Sequence, residues 1–321
     1  MIKNSLKDAL WVFSHPKPSI IPSYVVSGIM PADILGIKKL IYSPIDDPLK
    51  TLNVYKPKVM IISKIFHKKV LDFVNNAKNN GVKIISIFDD WNFDKNSKTD
   101  NTLSNLPLAK ISDLIIVKTI TASNVLKKNT NLSSYVIPDM TRFKMVKPST
   151  KINFPIEIIW FGMHSNHDSL IQELDNINSI DIKINLKVVT NFTDKFKSLI
   201  KKKFNNIAFN IVDWHPYFNK EIISSNIVII PYPKDKERLV KSSNRIIDSI
   251  NLGKYVILSD VEQFSEFRNF SYFGDIAKGI QWANNNQDKL EAIVKNAQNY
   301  VKKNYSKEIV SERWKQIIET I

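Results

Sequence analysis

The chain has 321 residues, with 46 Lys or Arg against 31 Asp or Glu and no cysteine. The missing cysteine excludes disulfides, thiol nucleophiles and Cys-ligated zinc. Seven glycines and no Gly-x-Gly-x-x-Gly exclude a dinucleotide fingerprint, and no apolar run approaches the roughly 18 residues of a membrane-spanning helix. Length suggests two domains, and 43% hydrophobic content suits a globular protein with two cores. The N-terminal stretch MIKNSLKDALWVFSH has no signal-peptide apolar region. The expectation is a cytoplasmic protein, with peripheral attachment at the inner membrane face left open. Residues 1–150 hold 22 of the Lys/Arg and 11 of the Asp/Glu, so +11 of the net +15 lies there. A basic half of this kind suits an anionic acceptor, a nucleic acid or a membrane surface.

Taken in order, residues 10–14 (LWVFS) form a short bounded apolar run, the mark of a buried strand. Three prolines within 15–22 exclude helix and central strand there, so a loop follows. His15 in that loop is a candidate site residue or an ordinary loop histidine. Residues 24–40 have helical character, with Pro31 starting a second helix. Strands at 59–63 (VMIIS) and 82–88 (VKIISIF) flank a helix over 66–80, which Asn80-Gly81 terminates. His67 opens that helix, as a site residue or as a plain helix-start histidine beside Lys68 and Lys69. Asp89, Asp90 and Trp91, just past the next strand, suit contact with a hydroxylated ligand or capping of the next element. Strand 114–119 (LIIVKT), a helix over 122–128 and the segment 134–139 (SYVIPD) complete this half. Residues 142–153, rich in Lys, Pro, Ser and Thr, read as a linker.

The alternation restarts with 156–162 (IEIIWFG). Gly162 permits close backbone approach, and the helix from about 168 presents an anion-binding N-terminus behind it. His164 and Asn166 in the intervening loop are candidates for phosphate or sugar contact. Strands over 184–189 and 207–212 follow. Trp214 just beyond them either flanks a nucleotide base or simply packs.

Residues 227–260 are the most informative: a buried strand over 227–230, Pro231-Tyr232-Pro233, a charged loop 234–238, a helix over 242–252, Gly253 as C-cap, and a strand over 255–258. Lys241 and Arg245 are spaced i, i+4, which puts them on one face of the first turn. A helix start already favours anions, so two cations there are unfavourable until an anion such as phosphate arrives. Asp248, one turn on, suits ribose hydroxyls. The plainer alternative is a solvated basic helix start in a lysine-rich chain. Three helical segments, from about 275, 287 and 306, end the chain, the last amphipathic through Ile309, Trp314, Ile317 and Ile318.

Lys241-Ser242 and Asn244-Arg245, Asp248 five residues before Gly253, and Tyr255-Val256-Ile257 resemble the nucleotide-sugar segment of retaining GT-B glycosyltransferases of the glycogen-synthase-like, family 4 type. The chain departs from that pattern at its first acidic position, which falls on Val240; the nearest carboxylates, Asp235 and Glu237, lie upstream. The alternation of strands and helices argues for an α/β protein of two doubly wound, parallel-sheet, Rossmann-like domains. The resemblance implies that these face a cleft in GT-B architecture. Residues 1–145 would form the acceptor-side domain and 151–305 the donor domain, with the C-terminal helix 306–321 packing back on the first.

What the resemblance implies for chemistry is a nucleoside-diphosphate sugar as co-substrate, no other cofactor, and retention of configuration; with cations and helix dipoles neutralising the diphosphate, a divalent metal becomes unnecessary. Lys241 and Arg245 would neutralise the departing diphosphate, with His67 near the donor sugar. Gly162, His164, Asn166, Trp214, Tyr232, Ser242, Asn244 and Asp248 would contact the donor, and His15, Asp89 and Asp90 the acceptor. The expected acceptor is a cell-surface or lipid-linked glycan. Modified bases of DNA are the alternative acceptor, and a non-catalytic nucleotide- or glycan-binding module of the same shape is the alternative function.

Overall fold

The computed structural model describes residues 6–63, 67–90, 105–200, 204–233 and 239–321. Phe66, Trp91 and the loop 234–238, with Asp235 and Glu237, lie outside the described residues. The chain forms two compact units. One comprises residues 1–140, 235–242 and 305–321, and the other residues 141–234 and 243–304.

In unit 1 the strands are β1 (Ala9–Phe13), β2 (Lys38–Ile41), β3 (Val59–Ile62), β4 (Lys83–Phe88), β5 (Leu114–Val117) and β6 (Tyr135–Val136). They pair in parallel in the order β2-β1-β3-β4-β5-β6. The central strands β1, β3 and β5 are apolar throughout because helices cover both faces. Side chains alternate, so Leu10 and Val12 join one core with Val70 and Phe73, while Trp11 and Phe13 join the other. Trp314, from the helix Lys307–Glu319, packs edge-on against Trp11 with ring centroids 4.9 Å apart.

Residues 24–40 depart from the expectation. Two short helices, Pro22–Tyr24 and Met30–Leu35, are joined by a π-helical turn, Val25–Ile29, and end at Gly36 with φ of 66°. The chain then forms β2, the sheet's edge, where helix was expected. An edge strand is half solvated, and exposed Lys38 and Lys39 guard it against further pairing. No apolar run marks such a strand.

Unit 2 contains β7 (Ile156–Phe161), β8 (Ile184–Thr190), β9 (Ile207–Asp213), β10 (Ile227–Ile230), β11 (Tyr255–Leu258) and β12 (Tyr272–Phe273). Their parallel order is β12-β11-β10-β7-β8-β9. The helix Asn244–Asn251 follows β10 and buries Ile246, Ile247 and Ile250. Gly253, at φ 77°, ends it, and a Cβ there would lie 2.6 Å from the Lys147 carbonyl oxygen. Only glycine satisfies both constraints. The expected linker is itself part of this packing. Val146 N–H donates to the Asn251 carbonyl at 2.9 Å, Ser149 N–H to the Gly253 carbonyl at 3.1 Å, and Gln298 Nε2 to the Val146 carbonyl at 2.8 Å.

Each sheet has one place where strand order reverses, between β1 and β3 in unit 1 and between β7 and β10 in unit 2. Ligands of open α/β sheets bind beyond the carboxyl ends of strands at such a switch point.

Candidate functional site

In unit 2, β7 runs out at Phe161-Gly162 and β10 runs out at Pro231-Tyr232, side by side. Arg245 reaches this point from the first turn of the helix Asn244–Asn251. Its Nη1 donates to the Phe161 carbonyl at 3.4 Å, and its guanidinium lies 5.8 Å from the Tyr232 ring centroid. A Cβ on Gly162 would stand 3.0 Å from the Trp160 ring and 3.5 Å from Arg245 Nη1. A side chain there would press on the Trp160 ring and meet the cation at ordinary contact distance. Tyr232 is fixed from behind, its N–H donating to Ser259 Oγ at 2.9 Å.

The loop after Gly162 carries His164, whose N–H donates to Asn191 Oδ1 at 2.8 Å and whose Nδ1 pairs with Asn191 Nδ2 at 3.1 Å. Asn166 turns the chain into the helix His167–Ile171, its carbonyl accepting from Ser169 Oγ at 2.7 Å. Sequence reading passed over Asn191. Its place directly after β8, the strand beside β7, is the feature that would have found it.

His167 was also passed over. It is 1% exposed between Trp160 and Phe196, with Nε2 2.8 Å from Thr190 Oγ1. The Thr190 hydroxyl donates to the Asn191 carbonyl at 3.1 Å, so Nε2 must carry the proton. Burial, helped by nearby His164 and Lys195, lowers the His167 pKa to about 4. The imidazole is neutral at pH 7.

Trp214, half-buried after β9, lies 6.1 Å from the Phe218 ring. Phe218 in turn packs against Phe143 and Phe161, and the Arg142 guanidinium sits 5.0 Å from its centroid. An aromatic patch therefore stands beside the ends of β7 and β9.

Asp248, read as a ribose ligand, is instead 0% exposed. Arg142 occupies both carboxylate oxygens, with Nε donating to Oδ2 at 2.6 Å and the backbone N–H to Oδ1 at 3.1 Å. The carboxylate clamps the segment after residue 140 onto the helix.

The other expected residues belong to unit 1. His15 and His67 follow β1 and β3, the two strands of that unit's switch point. His15 Nδ1 accepts from the Lys17 N–H at 3.1 Å. His67 precedes the helix Lys68–Asn79, with Nε2 3.3 Å from the Tyr42 carbonyl. Its Nδ1 is buried and has no hydrogen-bond partner among the described residues. Asp89 follows β4 and is buried, and the neighbouring Asp90 forms an ion pair with Lys241.

That pair corrects the expected first turn. The helix begins at Asn244, with Ser243 at its N-cap, so Lys241 and half-buried Ser242 precede it. Lys241 and Ser242 belong to unit 1, whereas Asn244 and Arg245 belong to unit 2. Val240 explains the break: it is 5% exposed, in the unit 1 core with Val70 and Phe73. The position where the family pattern has an acidic residue is a core position here.

No protein-family profile matches the chain, and no curated protein matches it by sequence. Solved structures do match. The chain is similar to TarM, with TM-score 0.59 at 13% identity over 81% of this chain and 54% of TarM, so it spans about half that protein. Two others are matched over almost their whole length. The chain has the GT-B fold. A putative UDP-N-acetylglucosamine 2-epimerase from Listeria monocytogenes gives TM-score 0.57 at 10% identity, covering 97% of this GT-B chain and 95% of that one. AviGT4, a glycosyltransferase involved in avilamycin A biosynthesis, gives 0.58 at 8%, covering 97% and 96%. Among the described residues, no helix of this GT-B chain is long and apolar enough to cross a membrane.

Proposed function

We propose that the chain transfers a glycosyl group from a nucleoside-diphosphate sugar to a hydroxylated acceptor, with unit 2 binding the donor. The carrying observation is Arg245, held beside Gly162 at the β7/β10 switch point and at a helix start. A cation and a helix N-terminus at the ends of these strands would stabilise charge that grows as the diphosphate leaves. Lys241 supplies a second cation, so charge neutralisation needs no divalent metal. The ring cluster around Trp214 and Phe218 offers a face for the base. His15, His67, Asp89 and Asp90, at the ends of β1, β3 and β4, form the acceptor side. The positive balance of residues 1–150 favours an anionic acceptor, a lipid-linked glycan before DNA. Retention of configuration rests on the sequence resemblance.

Val240 in the core favours one rival, a module that binds a nucleotide sugar without transferring it. Incubation with UDP-glucose and UDP-N-acetylglucosamine separates the readings. Slow release of UDP, even without acceptor, supports transfer, because a transferase leaks to water. Binding without UDP release supports the module. Conversion to the C2 epimer would identify an epimerase. Absence of binding to either compound would remove the donor-site assignment.

A further inference from the structure

Strand β8 ends in Thr190, and Asn191 and Phe192 follow it beside the loop that leaves β7. Asn191 directs both halves of its side-chain amide at one residue of that loop. Oδ1 accepts from the His164 N–H at 2.8 Å, and Nδ2 lies 3.1 Å from His164 Nδ1. A backbone N–H only donates, which fixes the amide with its oxygen toward the backbone and its NH2 toward the ring. That NH2 has no lone pair to offer, so Nδ1 is the acceptor. In the neutral imidazole the proton then sits on Nε2.

A second contact holds the ring from the side. Phe192 meets His164 edge-on, with centroids 4.8 Å apart at 86°. Phe192 stands at φ 55°, a conformation rare for a bulky residue, although its side chain is exposed. Strain of this kind persists where neighbouring contacts over-determine it, and it gathers at ligand sites. Asn191 is held in its turn, because its carbonyl accepts from the Thr190 hydroxyl, itself the acceptor for His167 Nε2.

The fixed tautomer selects among ligand groups. A hydroxyl both donates and accepts, so it pairs with either tautomer. An ionised phosphate oxygen or a base carbonyl only accepts, and it pairs with Nε2–H alone. Holding the proton on Nε2 therefore matters for an oxygen that only accepts. Among the described residues none hydrogen-bonds Nε2. His164 stands two residues past Gly162, where a Cβ would lie 3.5 Å from Arg245 Nη1, and a nearby guanidinium favours phosphate over a base. We propose that Asn191 is a positioning residue of the donor site: it holds His164 as the Nε2–H tautomer, which donates to an oxygen of the diphosphate. This role rests on the donor-site reading above and deepens it.

Two measurements test it: long-range proton–nitrogen NMR on protein with labelled histidine, and calorimetry with UDP and with pyrophosphate. The wild type should show a protonated Nε2 and a bare Nδ1 on His164, and Asn191→Ala should mix the tautomers. His164→Asn, which keeps a polar group only on the Nδ1 side, should weaken both ligands at least ~10-fold, the equivalent of one hydrogen bond to a charged group. His164→Gln, whose amide reaches the Nε2 position, should recover most of that loss. Asn191→Ala should weaken both ligands about 5-fold, the equivalent of one ordinary hydrogen bond. Added to His164→Asn it should change nothing, since a residue acting through His164 has nothing left to act on.

A protonated Nδ1 with a bare Nε2 in the wild type, equal UDP binding by His164→Asn, or additive losses in the double variant would each overturn the role of Asn191. Loss confined to UDP, with pyrophosphate bound equally or not at all, would move the contact to a base carbonyl and overturn the diphosphate assignment. A wild type that binds no UDP would remove the donor site itself, whereas the preceding outcomes in a wild type that binds UDP strike Asn191 and His164 alone. Should Asn191→Ala fail to fold, the wild-type tautomer and the two His164 variants decide.

Discussion

Lys241 forms an ion pair with Asp90 inside unit 1, three residues before the helix that carries Arg245 begins in unit 2. Both side chains are partly exposed, 44% and 31%, so the pair contributes roughly 0.2–1 kcal/mol. A diphosphate offers charge-assisted hydrogen bonds worth about 1.5–3 kcal/mol each and would win the lysine from the aspartate. Asp90→Asn should therefore change unfolding free energy by less than about 1 kcal/mol, while Lys241→Ala lowers turnover about 10-fold. Urea denaturation and a UDP-release assay check both. A loss of several kcal/mol in Asp90→Asn would make Lys241 a structural cation.

Arg245 carries more weight. Arg245→Ala should cut turnover at least ~10-fold, the equivalent of one charge-assisted bond lost in the transition state. Arg245→Lys should recover only part, since an ammonium lacks the planar fork. Unchanged UDP release in both variants would contradict the site.

Asp248 is predicted to act through stability. Asp248→Ala leaves Arg142 half-buried and unpaired, a loss of roughly 3–5 kcal/mol by analogy with broken buried pairs. Denaturant midpoints measure it. An unaltered midpoint with weakened UDP affinity by calorimetry would restore the ribose role.

Placing an acidic residue at Val240, where the resembled sequence pattern has one, should do harm. Val240→Glu puts a carboxyl into the core beside Phe73, at a cost of several kcal/mol per buried ion. A variant as stable as wild type with faster transfer would refute the placement of Val240.

His167 makes stability pH-dependent. Its folded pKa is about 4, against roughly 6.5 in the unfolded chain. Between these values the unfolded state takes up a proton that the folded state refuses. The contribution is fully present above pH ~6.5 and falls away as pH drops toward 4, by roughly 3 kcal/mol in all. Comparing urea midpoints of wild type and His167→Gln from pH 7.5 to 4.5 isolates it. Parallel pH curves for the two proteins would rule it out.

Much of the architecture is written locally. Strands β10 and β11 and the role of Gly253 follow from short apolar runs buried on both faces and from a helix end that needs positive φ, and the structure has them at the expected positions. Strands β2 and β12 were not legible, because an edge strand exposes one side and two residues make no pattern. The site was legible in its residue types but not in its grouping.

Spacing alone determined that Lys241 and Arg245 stand near a helix start at the carboxyl end of a buried strand. Only the tertiary structure decided that Val240 belongs to one core and Ile246 to another. The chain changes unit between Ser242 and Ser243, so the helix starts at Asn244 and takes in Arg245 but not Lys241. It likewise decided that Asp248 meets Arg142, 106 residues away in the chain. Such a partner is invisible to any periodicity, because it depends on which distant backbone packs against the helix.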